Sequence, residues 1–388
     1  MATHQGEPHR ALPALTSAGI LTIDLSAIQA NWRSIKARLA AHVSAGAVIK
    51  ADAYGLGAAH VGPALYRAGC REFFVASLVE AREARSYLPN DARIIVLGGA
   101  QSGEEGEFIE RDLTPVLFSL PALDRWRQAC RAAGGPHPSA LKIDTGMHRL
   151  GLTPAEVDQL LLEPAYLQEC GIGLVMSHLA CADEPEHPLN QEQLHRFEAT
   201  ADRLRVHLPD VRLSLANSSG VFLGPQWHFD LVRTGAFLYG FHPQPLLADT
   251  LPTDLVQPVL QLDLPVRQVR EVSHGGTVGY GADARIEPKT RLAVVAGGYA
   301  DGLNRLLGRQ AVGIVGEHST RVIGRISMDL TIFDISELPA HEAPAWIQVL
   351  NRELTVNHLT QSSGALGYEV LTSLGRRYQR RYLGGESG

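Results

Sequence analysis

The feature that most constrains the fold is a regular alternation of short apolar runs and helical stretches between about residues 20 and 245. Apolar residues recur three or four positions apart in the helical stretches, as in Leu123, Trp126 and Cys130. Eight runs have the composition of β-strands: AVIK, FFVAS, IIVLGG, TPVLF, ALKID, IGLVMSH, VRLSLA and DLVRTG. The alternation predicts a (β/α)8 barrel, with a doubly wound sheet as the alternative, because periodicity alone does not show whether a sheet closes.

The pattern changes after about residue 250, where strand-like runs follow one another with short turns. The runs are PVLQLDLPVRQVREV, RLAVVAGGY, AVGIVG, TRVIGRI, LTIFDI and AWIQVLN. They predict a second, mainly β domain with one helical stretch from Thr355 to about Tyr378. The proline-rich segment FHPQPLLADTLP is the predicted boundary. We therefore expect a disordered extension over residues 1–19, a barrel over 20–250 and the β domain over 251–385.

Composition and charge narrow the class of function. The 388 residues carry a formal net charge of −6, whereas nucleic acids and anionic membranes select basic surfaces. No apolar run approaches the length of a membrane span, and the first residues lack the layout of a secretory signal. The four cysteines are widely spaced, and HEAPA near residue 341 is not an HExxH motif. We expect a cytoplasmic protein with reduced cysteines, no metal, and no nucleic-acid or membrane partner.

Polar side chains stand where several predicted strands end. In a barrel these ends share one face, which is where active sites of this fold lie. A lysine, two arginines, a histidine and an amide–hydroxyl pair suit an anionic cofactor that bears an aldehyde, together with a carboxylate substrate. Each also has an ordinary interpretation as a solvated strand end, a salt-bridge partner, a core histidine or a helix cap. The residues are Lys50, Arg149, His178, Asn217, Ser218 and Arg233.

One segment, AVIKADAYGLG (Ala47 to Gly57), resembles the pyridoxal-phosphate lysine signature of the alanine racemases, a family of fold type III. Further blocks resemble later segments of that family and occur in the same order: LKIDTGMHRLG, SHLACADE, LANSSG, VRTGAFLYG, VGYGA, GGYADG, RISMD and GYEVLTSLGRR. The similarity spans about residues 20 to 380. It implies a (β/α)8 barrel followed by a β domain, in a head-to-tail homodimer whose sites each combine one subunit's barrel with the other's second domain.

The resemblance also assigns the residues that would hold pyridoxal 5'-phosphate. Lys50 is implied to bond covalently to the cofactor. Arg233 would hydrogen-bond the pyridine nitrogen, and since guanidinium keeps its proton, that nitrogen would stay unprotonated. Tyr54, Ser218 and Tyr368 would bind the phosphate, with backbone N–H groups and a helix dipole at Ser218 favouring the anion. The remaining cofactor residues are His178 and Asn217 near the ring, and Gly235.

The implied reaction needs two bases on opposite faces of the α-carbon. Lys50 resembles one and Tyr280, from the other subunit, resembles the second; a hydrogen-bonded chain of His178 and Arg233 would lower the pKa of that tyrosine. Arg149, Met328 and Asp329 would bind the substrate. Lys142 matches a lysine that is carbamylated in many members, and an unmodified lysine stays open as the alternative. Asp183, Tyr299, Arg305 and Arg325 resemble the polar corridor through which substrate enters.

The function implied is interconversion of L-alanine and D-alanine, supplying D-alanine for peptidoglycan. A racemase of serine or of a broader set of amino acids is the main alternative. A decarboxylase of the same architecture would lack the Tyr280 base and the arginine at the pyridine nitrogen, and a non-catalytic pyridoxal-phosphate-binding protein would lack the second domain. Two positions depart from the family pattern: Ser327, where some members have cysteine, and His148, where most have a small residue.

Overall fold

The computed structural model describes residues 19–244, 255–282, 284–305, 311–356 and 367–385. The chain divides into two compact units. The barrel unit consists of Ile23–Val259 with residues 382–385, and the sheet unit consists of Leu260–Arg381 with residues 19–22. The predicted boundary at residue 250 lies outside the described residues, as do residues 1–18 of the extension predicted over 1–19. Both ends of the chain therefore contribute to units whose main part lies elsewhere in the sequence.

The barrel unit contains eight parallel strands, which follow the first strand of the chain, β1 (Ile20–Asp24). Neighbours pair in sequence from the first of these strands to the seventh, and the eighth pairs with the first. Where the two remaining edges meet, the Asp230 N–H donates to the Leu213 oxygen at 3.0 Å and the Arg233 N–H donates to the Ala216 oxygen at 3.0 Å. The ring is closed, which confirms the barrel and excludes the doubly wound sheet. The strands are β2 (Ser44–Val48), β3 (Glu72–Val75), β4 (Arg93–Val96), β5 (Leu113–Leu117), β6 (Ser139–Lys142), β7 (Ile172–Met176), β8 (Arg212–Ser214) and β9 (Leu231–Thr234).

The helices between these strands begin at residues whose chemistry favours a helix start. Asp24 accepts a hydrogen bond from the Ala27 N–H at 2.9 Å, and Thr153 forms a reciprocal capping box with Glu156. Each of these side chains satisfies a backbone N–H group of the first helical turn, which has no partner within the helix. The helices are α1 (Leu25–Arg38), α2 (Lys50–Gly55), α3 (Ala58–Ala68), α4 (Leu78–Tyr87), α5 (Glu105–Glu110), α6 (Leu120–Ala132), α7 (Pro154–Leu161), α8 (Ala165–Glu169) and α9 (Pro188–Arg205).

The sheet unit is mainly antiparallel, as predicted. Its strand order is β13-β16-β15-β14-β17-β10-β1-β18, and β13 also pairs with β10, so that six of the strands form a ring. A separate hairpin joins β11 to β12. The strands are β10 (Leu260–Val272), β11 (Gly276–Val278), β12 (Ala284–Ile286), β13 (Thr290–Ala296), β14 (Val312–Val315), β15 (His318–Val322), β16 (Leu330–Asp334), β17 (Trp346–Leu350) and β18 (Gln379–Leu383).

The predicted helical stretch from Thr355 to Tyr378 is only partly right. Residues 357–366 lie outside the described part of the chain, and the helix that follows, α10 (Gly367–Ser373), ends five residues before the predicted end. It stops because the Gly375 N–H donates to the Asp301 oxygen at 3.0 Å instead of to a carbonyl of its own helix. The chain then enters β18.

The barrel interior is close-packed, so a glycine that faces it cannot be replaced by a larger residue without a steric clash. A Cβ atom at Gly46 in β2 would lie 2.7 Å from a ring carbon of Phe74, whereas one at Gly173 in β7 would meet nothing within 4 Å. We expect Gly46→Ala to lower the free energy of unfolding by about 1–3 kcal/mol through overpacking. Gly173→Ala, the matched control, should leave it unchanged or slightly raised. Urea unfolding followed by circular dichroism measures both, and equal stabilities of the two variants would contradict the packing argument.

Candidate active site

The period of a β-strand places four polar side chains at one mouth of the barrel. An apolar layer inside the barrel takes residues from seven of its eight strands, among them Val48, Ala140, Met176 and Leu231. Side chains two positions apart in a strand point to the same side, so the next inward-facing positions lie nearer the carboxyl ends. Those positions are occupied by Lys50, Lys142, His178 and Arg233. The mouth of the barrel is therefore cationic where the interior below it is apolar.

Arg233 is buried and anchored by neutral oxygen atoms. Its guanidinium donates to the Ser214 hydroxyl at 2.5 Å, to the Ser177 carbonyl at 2.5 Å and to the Leu215 carbonyl at 3.3 Å. Burial lowers the pKa of Arg233 to about 10, which still leaves the guanidinium charged at neutral pH. The side chain is thus a fixed cation whose charge no described carboxylate neutralises through a salt bridge.

His178 is held as a neutral ring. Its Nδ1 lies 3.5 Å from Nη2 of Arg233, and burial, with the charges of Arg233 and Lys142, lowers the pKa of His178 well below its usual value. Because an arginine can only donate, Nδ1 must accept, and the ring proton therefore resides on Nε2. His178 consequently offers an N–H donor from its far side.

Lys142 is nearly inaccessible to solvent, with 7% of its surface exposed. Burial, followed by the charges of Arg233 and Arg149, lowers its pKa to about 8, while Asp144 acts in the opposite direction. Asp144 is already engaged, since its Oδ1 accepts three backbone N–H groups, at 2.9, 3.0 and 3.2 Å. Lys142 therefore sits among cations with only a preoccupied carboxylate to offset them.

Lys50 opens a turn of unusual handedness. Ala51 to Tyr54 have φ between 53° and 56°, four successive non-glycine residues in the left-handed region, which costs about 1–2 kcal/mol for each residue. One carboxylate stabilises the turn: Glu80 accepts from the Ala51 N–H at 2.8 Å, and it also accepts from the Ala76 N–H at 2.6 Å after β3. Burial and the charge of Arg149 lower the pKa of Lys50, and Glu80 raises it. A strained turn thus presents a partly desolvated amine at the mouth.

A small cradle lies beside this turn. The Ser218 hydroxyl accepts from the Gly235 N–H at 2.9 Å and from the Phe237 N–H at 3.3 Å, and a Cβ at Gly235 would lie 2.7 Å from the hydroxyl oxygen of Tyr54. Asn217 accepts from the Gly220 N–H at 2.9 Å, which is the helix-cap role. The helices that begin here, Gly220–Leu223 and Ala236–Tyr239, are single 3₁₀ turns, so the helix dipole expected at Ser218 is small. The two hydroxyls and the absent side chain leave a polar space suited to an anion.

The sheet unit carries the remaining predicted residues on its surface. Tyr280, Tyr299, Met328 and Tyr368 are exposed by 70, 44, 53 and 42%. Tyr280 lies in a 3₁₀ turn next to the Arg325 guanidinium, which a Cβ at Gly281 would approach to 3.2 Å. Arg305 is exposed, as is Asp183 in the barrel unit. Within the described ranges, no group of three His, Cys, Asp or Glu side chains is arranged to hold a metal ion.

Two family descriptions together cover most of the chain. Residues 23–243 match "Alanine racemase, N-terminal domain" and residues 259–382 match "Alanine racemase, C-terminal domain". The chain belongs to the alanine racemase family. Its barrel unit and its sheet unit correspond to these two matched domains.

Relatives within the alanine racemase family agree along nearly the whole chain. The alanine racemase of Rhodospirillum rubrum is 46% identical, over 96% of this chain and 98% of the relative. The "Alanine racemase, biosynthetic" of Agrobacterium fabrum is 41% identical, over 94% and 93%. The alanine racemase of Bartonella henselae, crystallised with covalently bound pyridoxal phosphate, superposes with a TM-score of 0.88 at 34% identity, covering 95% of this chain and 100% of the other.

The structure accounts for both departures from the alanine racemase pattern. His148 has φ 54°, a conformation that favours glycine and small polar residues, and its backbone N–H donates to Asp144 at 3.2 Å. Its exposed ring lies 3.3 Å from the other Asp144 oxygen. Ser327 donates to the Leu330 oxygen at 2.7 Å and so closes its own turn. Both residues are thus accommodated by local hydrogen bonds.

Two supporting residues were missed by the sequence analysis. Gln193 of α9 is fully buried, donates to the His178 carbonyl at 2.9 Å and to the Thr145 hydroxyl at 3.1 Å, and accepts from the Ala180 N–H at 2.9 Å. It ties the segments after β6 and β7 together. Glu80 supports the Lys50 turn. Both lie on helical faces, where a polar residue is ordinarily solvated, and no local pattern distinguishes them.

Glu80→Gln tests the support of the left-handed turn. An amide has one accepting oxygen, and its NH₂ group would face a backbone donor, so we expect one of the two N–H groups to lose its partner. The free energy of unfolding should fall by about 1 kcal/mol. Hydrogen exchange should quicken at Ala51 and Ala76, as mass spectrometry of peptides would show. Glu83→Gln on the same helix is the control and should leave exchange there unchanged. Equal exchange in both variants would remove Glu80 from this role.

Proposed function

We propose that this chain interconverts L-alanine and D-alanine with pyridoxal 5'-phosphate as its cofactor. The observation that carries the proposal is the convergence of Lys50, Lys142, His178 and Arg233 at the barrel mouth of a chain 41–46% identical to alanine racemases. A lysine of lowered pKa beside fixed cations suits an aldehyde with an anionic group, and the Bartonella henselae relative holds pyridoxal phosphate covalently. We also propose alanine over serine as the substrate, from the names of these relatives.

The residues present fit this cofactor. Lys50 would carry it, and Arg233 would donate to the pyridine nitrogen, because its guanidinium is buried, charged and fixed. The hydroxyls of Tyr54 and Ser218 and the space over Gly235 would receive the phosphate, with Tyr368 as a further donor. His178 and Asn217 would lie near the ring. The cradle at Gly235 supports this arrangement, since any larger residue would crowd Tyr54.

Pyridoxal phosphate, when bound, withdraws electrons from the substrate and makes its α-proton acidic. The chain must then hold and move that proton. Lys50 would exchange it on one face of the α-carbon, with a pKa lowered towards the working pH by burial and Arg149. Tyr280 would exchange it on the other face. Two bases invert the carbon without turning the substrate.

His178 would make Tyr280 a base. A tyrosine has a pKa of about 10, so its phenolate needs a donor to form near neutral pH. The neutral His178 ring has its proton on Nε2, and Arg233 fixes that tautomer from behind. We propose that this N–H donates to the Tyr280 oxygen and stabilises its phenolate.

We propose that Tyr280 reaches the barrel mouth from a second copy of the chain. Tyr280, Tyr299, Met328 and Tyr368 are exposed, and a second copy of the chain would cover them in a homodimer with shared sites. Arg149 and the Met328 N–H would bind the substrate carboxylate, and Asp329 would complete the same substrate-binding turn. Asp183, Tyr299, Arg305 and Arg325 would line the entrance corridor.

We propose that Lys142 is carbamylated. Its neutral amine, available because the pKa is about 8, would add to carbon dioxide, forming one C–N bond and releasing one proton. The resulting anion would lie among Arg149 and Arg233 and orient Arg149 towards the substrate. The modification would turn a repulsive contact into an attractive one.

In the cell, we propose a cytoplasmic enzyme that supplies D-alanine for peptidoglycan. Four free cysteines, three of them buried, fit a reducing compartment, and one relative is named as biosynthetic. Among the described residues, no helix combines the length and the apolar character that crossing a bilayer requires.

Proton NMR in heavy water tests the proposed function. With wild type, pyridoxal phosphate and L-alanine, we expect loss of the α-proton signal and D-alanine on chiral chromatography, with L-serine, L-lysine and L-ornithine slower. Tyr280→Phe should reduce racemisation at least a hundredfold, in line with removal of a general base, while retaining the cofactor. Tyr66→Phe, at a surface tyrosine paired with Asp91, is the control.

Two results would contradict the proposal. Absence of exchange with every amino acid, or release of amine and carbon dioxide, would remove the racemase function. Full rates in both directions with Tyr280→Phe would remove the two-base assignment alone.

Lys142 gives a prediction about pH. Its folded pKa of about 8 lies below the unfolded value of about 10.4, so between these values the unfolded chain binds more protons and stability rises with pH. We expect Lys142→Met to be more stable than wild type at pH 7 in carbonate-free buffer, with the difference shrinking as the pH rises through that window. Bicarbonate at neutral pH should stabilise wild type and leave the variant unaffected. Urea unfolding measures this, and no bicarbonate effect on wild type would contradict carbamylation.

A further inference from the structure

Arg377 of the sheet unit joins two turns that the proposed function assigns to the substrate. Its Nε and Nη2 donate to the two oxygens of Asp301 at 2.6 and 2.7 Å, and its Nη1 donates to Asp329 at 2.7 Å. Asp301 ends the 3₁₀ turn that begins at Tyr299, and Asp329 follows Met328 directly. One guanidinium therefore holds a residue of each turn.

The two turns also lie in direct backbone contact. The Tyr299 N–H donates to the Ser327 oxygen at 3.0 Å, and the Ala300 N–H donates to the Met328 oxygen at 3.0 Å. A Cβ at Gly298 would lie 2.3 Å from the Ser327 oxygen, so only glycine permits this approach. These bonds occupy the carbonyl oxygens of the Met328 turn. They do not hold its N–H groups, whose direction therefore depends on other contacts that fix the turn.

Arg377 neutralises a buried carboxylate, which distinguishes it from an ordinary surface cation. Asp301 is 4% exposed, and within its own turn its carboxylate accepts only the Gly298 N–H, at 3.0 Å. Without the guanidinium, a buried carboxylate would lose its two strongest donors and would face the charge of Asp329 unscreened. Because Asp329 is exposed and Asp301 is buried, we expect the turn that contains Asp329 to move away from Asp301.

We infer that Arg377 is a positioning residue for the substrate carboxylate: by binding Asp301 and Asp329 together, it fixes the turn whose Met328 N–H would receive that carboxylate. The inference rests on the proposed function, which places Met328 in the substrate site. Arg377 itself contacts neither substrate nor cofactor in this account. Its removal should weaken binding of carboxylates more than it slows proton transfer.

The test uses the full-length enzyme loaded with pyridoxal phosphate. Arg377→Lys keeps the charge, but a single ammonium group cannot reproduce the paired contacts with both carboxylates. We expect the KM for L-alanine and the inhibition constant of propionate, which has a carboxylate and no amine, each to rise roughly tenfold, with kcat within about threefold of wild type. Arg376→Lys, at the exposed neighbouring position, is the matched control and should change none of the three.

Asp329→Asn is the second variant. It retains the Arg377–Asp301 pair, so it can test the link between the two turns even if Arg377→Lys fails to fold. It should raise the same two constants while leaving the free energy of unfolding near that of wild type. A fall in kcat with unchanged KM and unchanged propionate inhibition, in either variant that folds, would overturn the positioning role.

The outcomes separate this inference from the proposed function. If wild type racemises no amino acid, the proposed function fails. Propionate binding, followed by the absorbance of the bound cofactor, then still compares wild type with the variants, and equal binding would overturn the inference. If wild type racemises alanine and the variants match it in KM, the inference alone fails.

Discussion

The closed ring of β2 to β9 is the constraint on which the rest of the candidate site depends. Parallel pairing sets the relative height of neighbouring strands, and the two-residue period sets which side chains face inward. Val48, Ala140, Met176 and Leu231 form the apolar layer. The side chains two positions further along each strand must therefore lie at the mouth of the barrel. The convergence of charge follows from backbone geometry, and no attraction between the charged groups is needed.

Those groups in fact repel one another, and the barrel opposes the repulsion. Arg233 is oriented by carbonyl and hydroxyl oxygens that cancel none of its charge. Burial depresses the pKa of Lys142 and of His178, and the charge of Arg233 depresses each further. Energy stored as unfavourable charge in the free protein is recovered when an anion binds. Preorganised positive charge of this kind both attracts a phosphate and keeps the neighbouring amines poised to lose protons.

Much of the fold and of the site was predictable from the sequence, for a physical reason. Strand alternation and the order of motifs are local, and they identified all eight barrel strands and the mouth residues among them. The left-handed turn after Lys50 was not predictable, because its hydrogen bonds come from Glu80, a residue of α4. Arg377 was missed for the same reason: its partners lie 48 and 76 positions away. The helix predicted to Tyr378 ends at Ser373 because a distant backbone oxygen competes for the Gly375 N–H.

The sharing of chain ends between the two units has a consequence for biosynthesis. Every barrel strand precedes residue 235, so the ring can close while the ribosome is still translating the second half of the message. The sheet unit includes β1 (Ile20–Asp24) and β18 (Gln379–Leu383), so β1 must wait until β18 has been translated before its second neighbour exists. Truncated products that stop short of residue 379 would therefore present β1 with one side of its backbone unpaired, and such an edge is prone to pair with another chain.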